Sequence, residues 1–75
     1  MADRKLDASG LRCPMPLLKT KLELNGMAAG EVLEVVATDT GSARDIPAFL
    51  SLTRHELVSS SEEEGQFTFV IKCAG

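Results

Sequence analysis

The sequence predicts an α/β fold: a two-layer sandwich of order βαβαββ, with a four-stranded mixed sheet and two helices on one of its faces. Three observations lead to it. Glu31 to Thr38 holds Val32, Leu33, Val35 and Val36, a nearly continuous and largely β-branched run that suits a central strand. Gln66 to Cys73 alternates, with Phe67, Phe69, Ile71 and Cys73 on one face and Thr68, Val70 and Lys72 on the other. Between the strand-like segments, two stretches carry helical spacing instead.

Taken in order, residues 4–8 alternate weakly and read as a short first strand, which Ser9-Gly10 turns toward Cys13. The first helix runs from Pro14 to Leu24, its stripe formed by Pro14, Leu18 and Leu22 with Leu17 and Leu24 beside them. Asn25-Gly26 stops it. Strand, helix and strand then imply a right-handed parallel crossover into the Glu31–Thr38 strand. Asp39-Thr40-Gly41-Ser42 reads as a loop, and Ser42 with Asp45 resembles a capping box. A second helix from about Ala43 to Arg54 buries Ala43, Ile46, Phe49 and Leu50, with Pro47 confined to its first turn or kinking it. Glu56 to Ser61 is a third, more polar strand with Leu57 inward. Glu62 to Gly65 is a turn before the last strand.

These elements fit one domain over residues 1–75, small enough to bury only about 60% of its unfolded surface. A chain of this size has no cleft between domains, so its chemistry has to sit near the surface. The 44% hydrophobic and 25% charged content is that of a globular chain. A net charge of −3 and an isoelectric point near 5.0 argue against direct nucleic-acid binding. No stretch approaches the apolar length of a membrane span and no secretory h-region opens the chain, so a cytoplasmic protein is expected. In that reducing compartment Cys13 and Cys73 are free thiols, and with His55 they are too few soft ligands for a closed zinc site. No cofactor is expected. The solvated sheet face, with Val70, gives no strong dimer signal, so a monomer is expected.

The two thiols are not equivalent. Cys73 is in phase with Phe67, Phe69 and Ile71 and reads as a buried, inert thiol. Cys13 falls at the N-cap of the first helix, with Pro14 at the first helical position and Pro16 stiffening the same turn. There the helix dipole and the adjacent Arg12 favour a thiolate of depressed pKa, and no carboxylate follows in sequence until Glu23. Such a thiolate suits a hydrolytic nucleophile, a redox thiol or a group carrier. Hydrolysis needs an oriented base, and the single histidine, His55, has no evident orienter. The Cys-x-x-Cys spacing of thiol oxidoreductases is absent, because Pro16 stands where the second cysteine would be. Group carriage needs only the thiolate and an accessible surface. Two other classes stay open: an interaction module in which Cys13 only shapes a helix cap, and a redox-sensing thiol. An ordinary Cys13 pKa would favour the module, a depressed one the carrier.

Leu6 to Pro16, with its Cys13-Pro14-Met15-Pro16 corner, closely resembles the opening of the TusA/SirA/YedF family. Ala37-Thr38-Asp39, the block Arg44-Asp45-Ile46-Pro47-Ala48-Phe49, and His55-Glu56-Leu57 resemble it too. The resemblance implies the βαβαββ sandwich of the C-terminal domain of bacterial translation initiation factor three. It also implies a sulfur carrier acting stoichiometrically, in which Cys13 accepts a persulfide sulfur and passes it on. The donors so implied are a cysteine desulfurase or a rhodanese-type protein, and the acceptors further sulfur-relay proteins. These relays serve tRNA thiolation, molybdenum-cofactor maturation or sulfur oxidation, and one branch of the family is tied to selenium metabolism. Carried over by residue, Cys13 has the chemical role and Pro14 and Pro16 shape its turn. Arg12 helps to form a positive surface for partners, with Arg44 and Asp45 as further partner-binding candidates. Cys73 lies outside the motif.

Overall fold

The computed structural model describes residues 2–75. The elements follow in the predicted order: β1 (Arg4–Ala8), α1 (Met15–Asn25), β2 (Val32–Ala37), α2 (Thr40–Ser51), β3 (Glu56–Glu63) and β4 (Gln66–Lys72). The strands form one mixed sheet in the order β1-β2-β4-β3. β1 pairs with β2 in parallel, while β4 runs antiparallel to both β2 and β3. The β-branched run is therefore central, as its composition predicts. Leu33, Val35 and Ala37 project to one face with Ile71, Phe69 and Phe67 opposite them. Leu33, Val35 and Ile71 are fully buried, and with Ile46, Leu50, Leu24, Met27 and Cys73 they make the core beneath the two helices.

The first helix turns a different side to the sheet than the leucine stripe suggests. Neighbouring helix positions lie about 100° apart, so Leu17 and Leu18 cannot share one face. The fold buries Pro16, Thr20 and Leu24, with Leu17 packed partly against the core. Leu18 and Leu22 instead face solvent with Met15, and Leu22 is 71% exposed. Thr20 tolerates full burial because its hydroxyl donates to the Pro16 carbonyl at 2.8 Å, leaving no polar atom unpaired. Lys21 holds the two helices together from the side, its Nζ 4.9 Å from the centroid of the Phe49 ring.

Three boundaries also move, one of them the end of α2, which falls at Ser51 and not near Arg54. α2 begins at Thr40, because the Asp39 side chain accepts a hydrogen bond from the Ser42 N–H and caps the helix. The expected Ser42–Asp45 box does not form, and the segment expected to be a loop supplies the first turn. Pro47 then lies inside the helix, past its first turn. β3 continues to Glu63, so the turn shrinks to Glu64 and Gly65, both with positive φ (51° and 80°), as a tight two-residue hairpin demands. A register shift between Leu57 and Ser59 skips Val58, which is left 52% exposed.

Candidate functional site

Because β1 and β2 are parallel, the loops that follow them leave the same end of the sheet, where open α/β sheets place their sites. The first loop is tied down at several points. Ser9 N–H donates to Asp7, Leu11 N–H to the Ala8 carbonyl, and Gly10 N–H to the Thr38 hydroxyl just beyond β2 at 2.9 Å. Gly10 has φ of 78°, a conformation in which glycine avoids the strain a side chain would bring. The loop then delivers Cys13 to the start of α1, one residue earlier than expected: Pro14 is the N-cap, and the Cys13–Pro14 peptide is cis. Pro16 is buried and anchors the first turn, while Arg12, Cys13 and Pro14 are exposed.

The start of α2 lies directly against this corner. One oxygen of Asp39, Oδ2, accepts from the Ser42 N–H at 2.9 Å, the Ser42 hydroxyl at 3.1 Å and the Cys13 N–H at 3.2 Å. A single carboxylate thus caps α2 and fixes the Cys13 backbone. These donors, the Ser42 N–H foremost, hold the Asp39 carboxyl below its usual pKa. A Cβ on Gly41 would stand 3.1 Å from that oxygen, 3.5 Å from Cys13 Cβ and 3.9 Å from its sulfur. Gly41 therefore leaves the room in which the thiol sits. One turn further on the same helical face, Asp45 Oδ2 lies 3.2 Å from Cys13 Sγ and accepts the thiol proton as a hydrogen bond.

This geometry corrects the expected electrostatics of the thiol. The hydrogen bond to Asp45 favours the protonated form, and local desolvation and the charges of Asp45 and Asp39 act in the same direction. The Cys13 pKa is therefore raised, not depressed. The sequence window that showed no carboxylate before Glu23 missed two that arrive from the other helix. The sequence presents Asp39 only within the family-like Ala37-Thr38-Asp39 block and Gly41 only as a loop residue. Their signal was the predicted parallel crossover, which sets the residues after both strands side by side.

The remaining candidates spread out. Arg44 is exposed on α2, whereas its neighbour Asp45 turns inward to the thiol. Cys73 is 2% exposed, its sulfur 3.5 Å from the Leu24 carbonyl oxygen, which is the buried position its phase predicts. His55 lies just before β3 and accepts the Ala74 N–H on Nδ1 at 2.9 Å, a structural contact at the chain's end. Among the described residues, no three His, Cys, Asp or Glu side chains gather as metal ligands, and no helix is long and apolar enough to cross a membrane.

Comparison with known proteins gives the chain as a whole a chemical context. The model of the family described as sulfurtransferase TusA matches residues 4–73. The chain is 54% identical over 70 residues to the sulfur carrier protein TusA of Allochromatium vinosum, covering 93% of this chain and 92% of the relative. It is 41% identical over 70 residues to the TusA sulfur carrier of Pseudomonas putida, covering 93% and 88%. A SirA-like protein from Desulfitobacterium hafniense has the same fold, with a TM-score of 0.83 over 96% of this chain and 99% of the other at 22% identity. With the family match spanning both helices and all four strands, the chain belongs to the TusA family and is a sulfur carrier.

Proposed function

We propose that this sulfur carrier holds its cargo as a persulfide on Cys13. The observation that supports the reading is the contrast between the thiols: Cys13 is exposed at the end of a helix, and Cys73 is sealed in the core. An exposed thiol at a rigid corner can be reached in turn by two different active sites. In the first step Cys13 Sγ forms a bond to the terminal sulfur of a donor persulfide. The donor's S–S bond breaks, its electron pair leaves on the donor thiolate, and that thiolate takes up the Cys13 proton. An acceptor thiolate then attacks the outer sulfur of the loaded chain by the same displacement. The transfer is stoichiometric and needs no cofactor. A cysteine desulfurase or a rhodanese-type protein is the donor and a further relay protein the acceptor, in the cytoplasm, where free thiols persist.

The exposed Met15, Leu18 and Leu22 give those partners a surface. They share one side of α1, at spacings of three and four residues, beginning two residues after Cys13. A charge on that side should weaken docking without touching the thiol. In Leu18→Glu, the donor concentration for half-maximal loading is expected to rise about tenfold, as for loss of a central apolar contact. Alkylation of Cys13 by iodoacetamide should not change. Equal loading by the variant and the parent would place the partner surface elsewhere. The carrier reading itself is tested by incubation with a cysteine desulfurase and cysteine, followed by intact-mass measurement. One added sulfur that a second protein's thiol can remove is expected, and a mass that does not change would overturn it.

A further inference from the structure

We propose that Asp45 is a second working residue of the site: its carboxylate holds the proton of the empty Cys13 thiol and repels the anionic persulfide once sulfur is loaded. The inference rests on the carrier reading of Cys13 and adds a partner for it from the other helix. Its basis is the 3.2 Å contact between Asp45 Oδ2 and Cys13 Sγ, made by an exposed thiol that needs no hydrogen bond to be stable. Nothing in the packing calls for a carboxylate here. The α2 cap belongs to Asp39, and the core side of α2 belongs to Ile46 and Leu50. The charged groups at the sulfur are Asp45 and Asp39 from α2, with Arg12 preceding Cys13 in the chain. Among the described residues, the ion pairs Arg4–Glu23 and Lys5–Glu34 involve none of these.

The two charge states of the sulfur feel this carboxylate oppositely. The empty thiol donates its S–H to Asp45 and is stabilised. A persulfide is a stronger acid than its parent thiol, so the loaded chain carries an anion, which gains no such bond and meets like charge. The exchange with a small donor is balanced as donor–S–S⁻ plus Cys13–SH giving donor–SH plus Cys13–S–S⁻. No electrons enter or leave, and one proton moves from Cys13 to the donor sulfur, with Asp45 as the acceptor nearest to it on the way. Asp45 therefore biases this exchange toward the empty carrier. It lowers the chain's idle reactivity toward electrophiles and favours delivery of the sulfur. A partner that brings a cation against Asp45 would relieve both effects at the moment of docking.

The test compares Asp45→Asn and Asp45→Glu with the parent chain, with Cys13→Ser as the blank. Far-UV circular dichroism and thermal melting confirm that each is folded. Native alkylation by iodoacetamide is followed against pH. In Asp45→Asn the profile should move to lower pH. A larger thiolate fraction, partly offset by the lower nucleophilicity of a more acidic thiol, should make the reaction roughly threefold faster at neutral pH. Asp45→Glu keeps the charge and should follow the parent. In a second arm, each chain is equilibrated with glutathione persulfide and glutathione, and the loaded fraction is read by intact mass. The Asn variant should hold sulfur with an equilibrium constant about tenfold higher. An unchanged alkylation profile, or an unchanged loading constant in a folded Asp45→Asn chain, overturns the proposal. Failure of the carrier reading looks different: no chain gains sulfur while the alkylation profile still moves.

Discussion

Cys13→Ser should take up no sulfur from a persulfide donor, whereas Cys73→Ser should load to within about twofold of the parent. The first expectation is all-or-none because of the atom involved. A serine hydroxyl is too weakly acidic to supply an alkoxide at neutral pH, and the carboxylate of Asp45 beside it is too weak a base to generate one. The second expectation follows from burial. Cys73 is 2% exposed, and its sulfur points at the carbonyl oxygens of Leu24 and Met27, at 3.5 and 3.8 Å. A serine there is too short to reach either carbonyl at hydrogen-bond distance, so the substitution costs some stability, but it leaves the Cys13 corner untouched. Intact mass after incubation with a cysteine desulfurase and cysteine reads both variants in one experiment. Sulfur uptake by Cys13→Ser, together with its loss in Cys73→Ser, would move the cargo to the core thiol and overturn the exposed-corner mechanism. The parent's raised Cys13 pKa also changes what alkylation can discriminate. A slow thiol no longer argues for a mere interaction module, because the neighbouring Asp45 accounts for it.

Much of the architecture was legible because it rests on local patterns. Alternation in Phe67-Thr68-Phe69-Val70-Ile71 fixes which face of β4 is buried, and the apolar run in β2 marks it as central. Cys13 and its proline corner were legible for the same reason, since five adjacent residues carry the signal. What was not legible depends on pairs distant in sequence. Cys13 and Asp45 are 32 residues apart, and they meet only because β1 and β2 pair in parallel and bring both helix starts to one end of the sheet. A charge count along the chain cannot see that. The start of α2 was misplaced because Ser42, Asp39 and Asp45 all offer side-chain caps within one short segment. The Asp39 oxygen prevails by serving Ser42 and Cys13 together. The rotation of α1 was misread because Leu17, Leu18, Leu22 and Leu24 supply two competing apolar faces. Small Thr20 and rigid Pro16, on the Leu24 side, are what the sheet accepts at close range.

That rotation can be tested through stability, with a core leucine as the reference. Leu33→Ala should destabilise the chain by about 2–5 kcal/mol, the range for truncating a buried leucine that its neighbours cannot close over. Leu33 is fully buried in the central strand, opposite Ile71, and the sheet leaves it no freedom to collapse. A chain of this length holds only roughly 4–11 kcal/mol in total, so the midpoint of thermal unfolding should fall by about 15 °C or more. Leu22→Ala removes the same atoms from a side chain that is 71% exposed. It should change stability by less than about 0.5 kcal/mol, since leucine and alanine also differ little in helix propensity. Paired urea melts of the two variants separate the possible rotations of α1. If Leu22→Ala cost as much as Leu33→Ala, the Leu18–Leu22 side would be the packed one, and the apolar surface beside Cys13 would not exist. A small Leu22 effect leaves that side of α1 free. Exposed leucines that contribute nothing to folding are then available to contribute to docking, next to the one thiol that solvent and partners can reach.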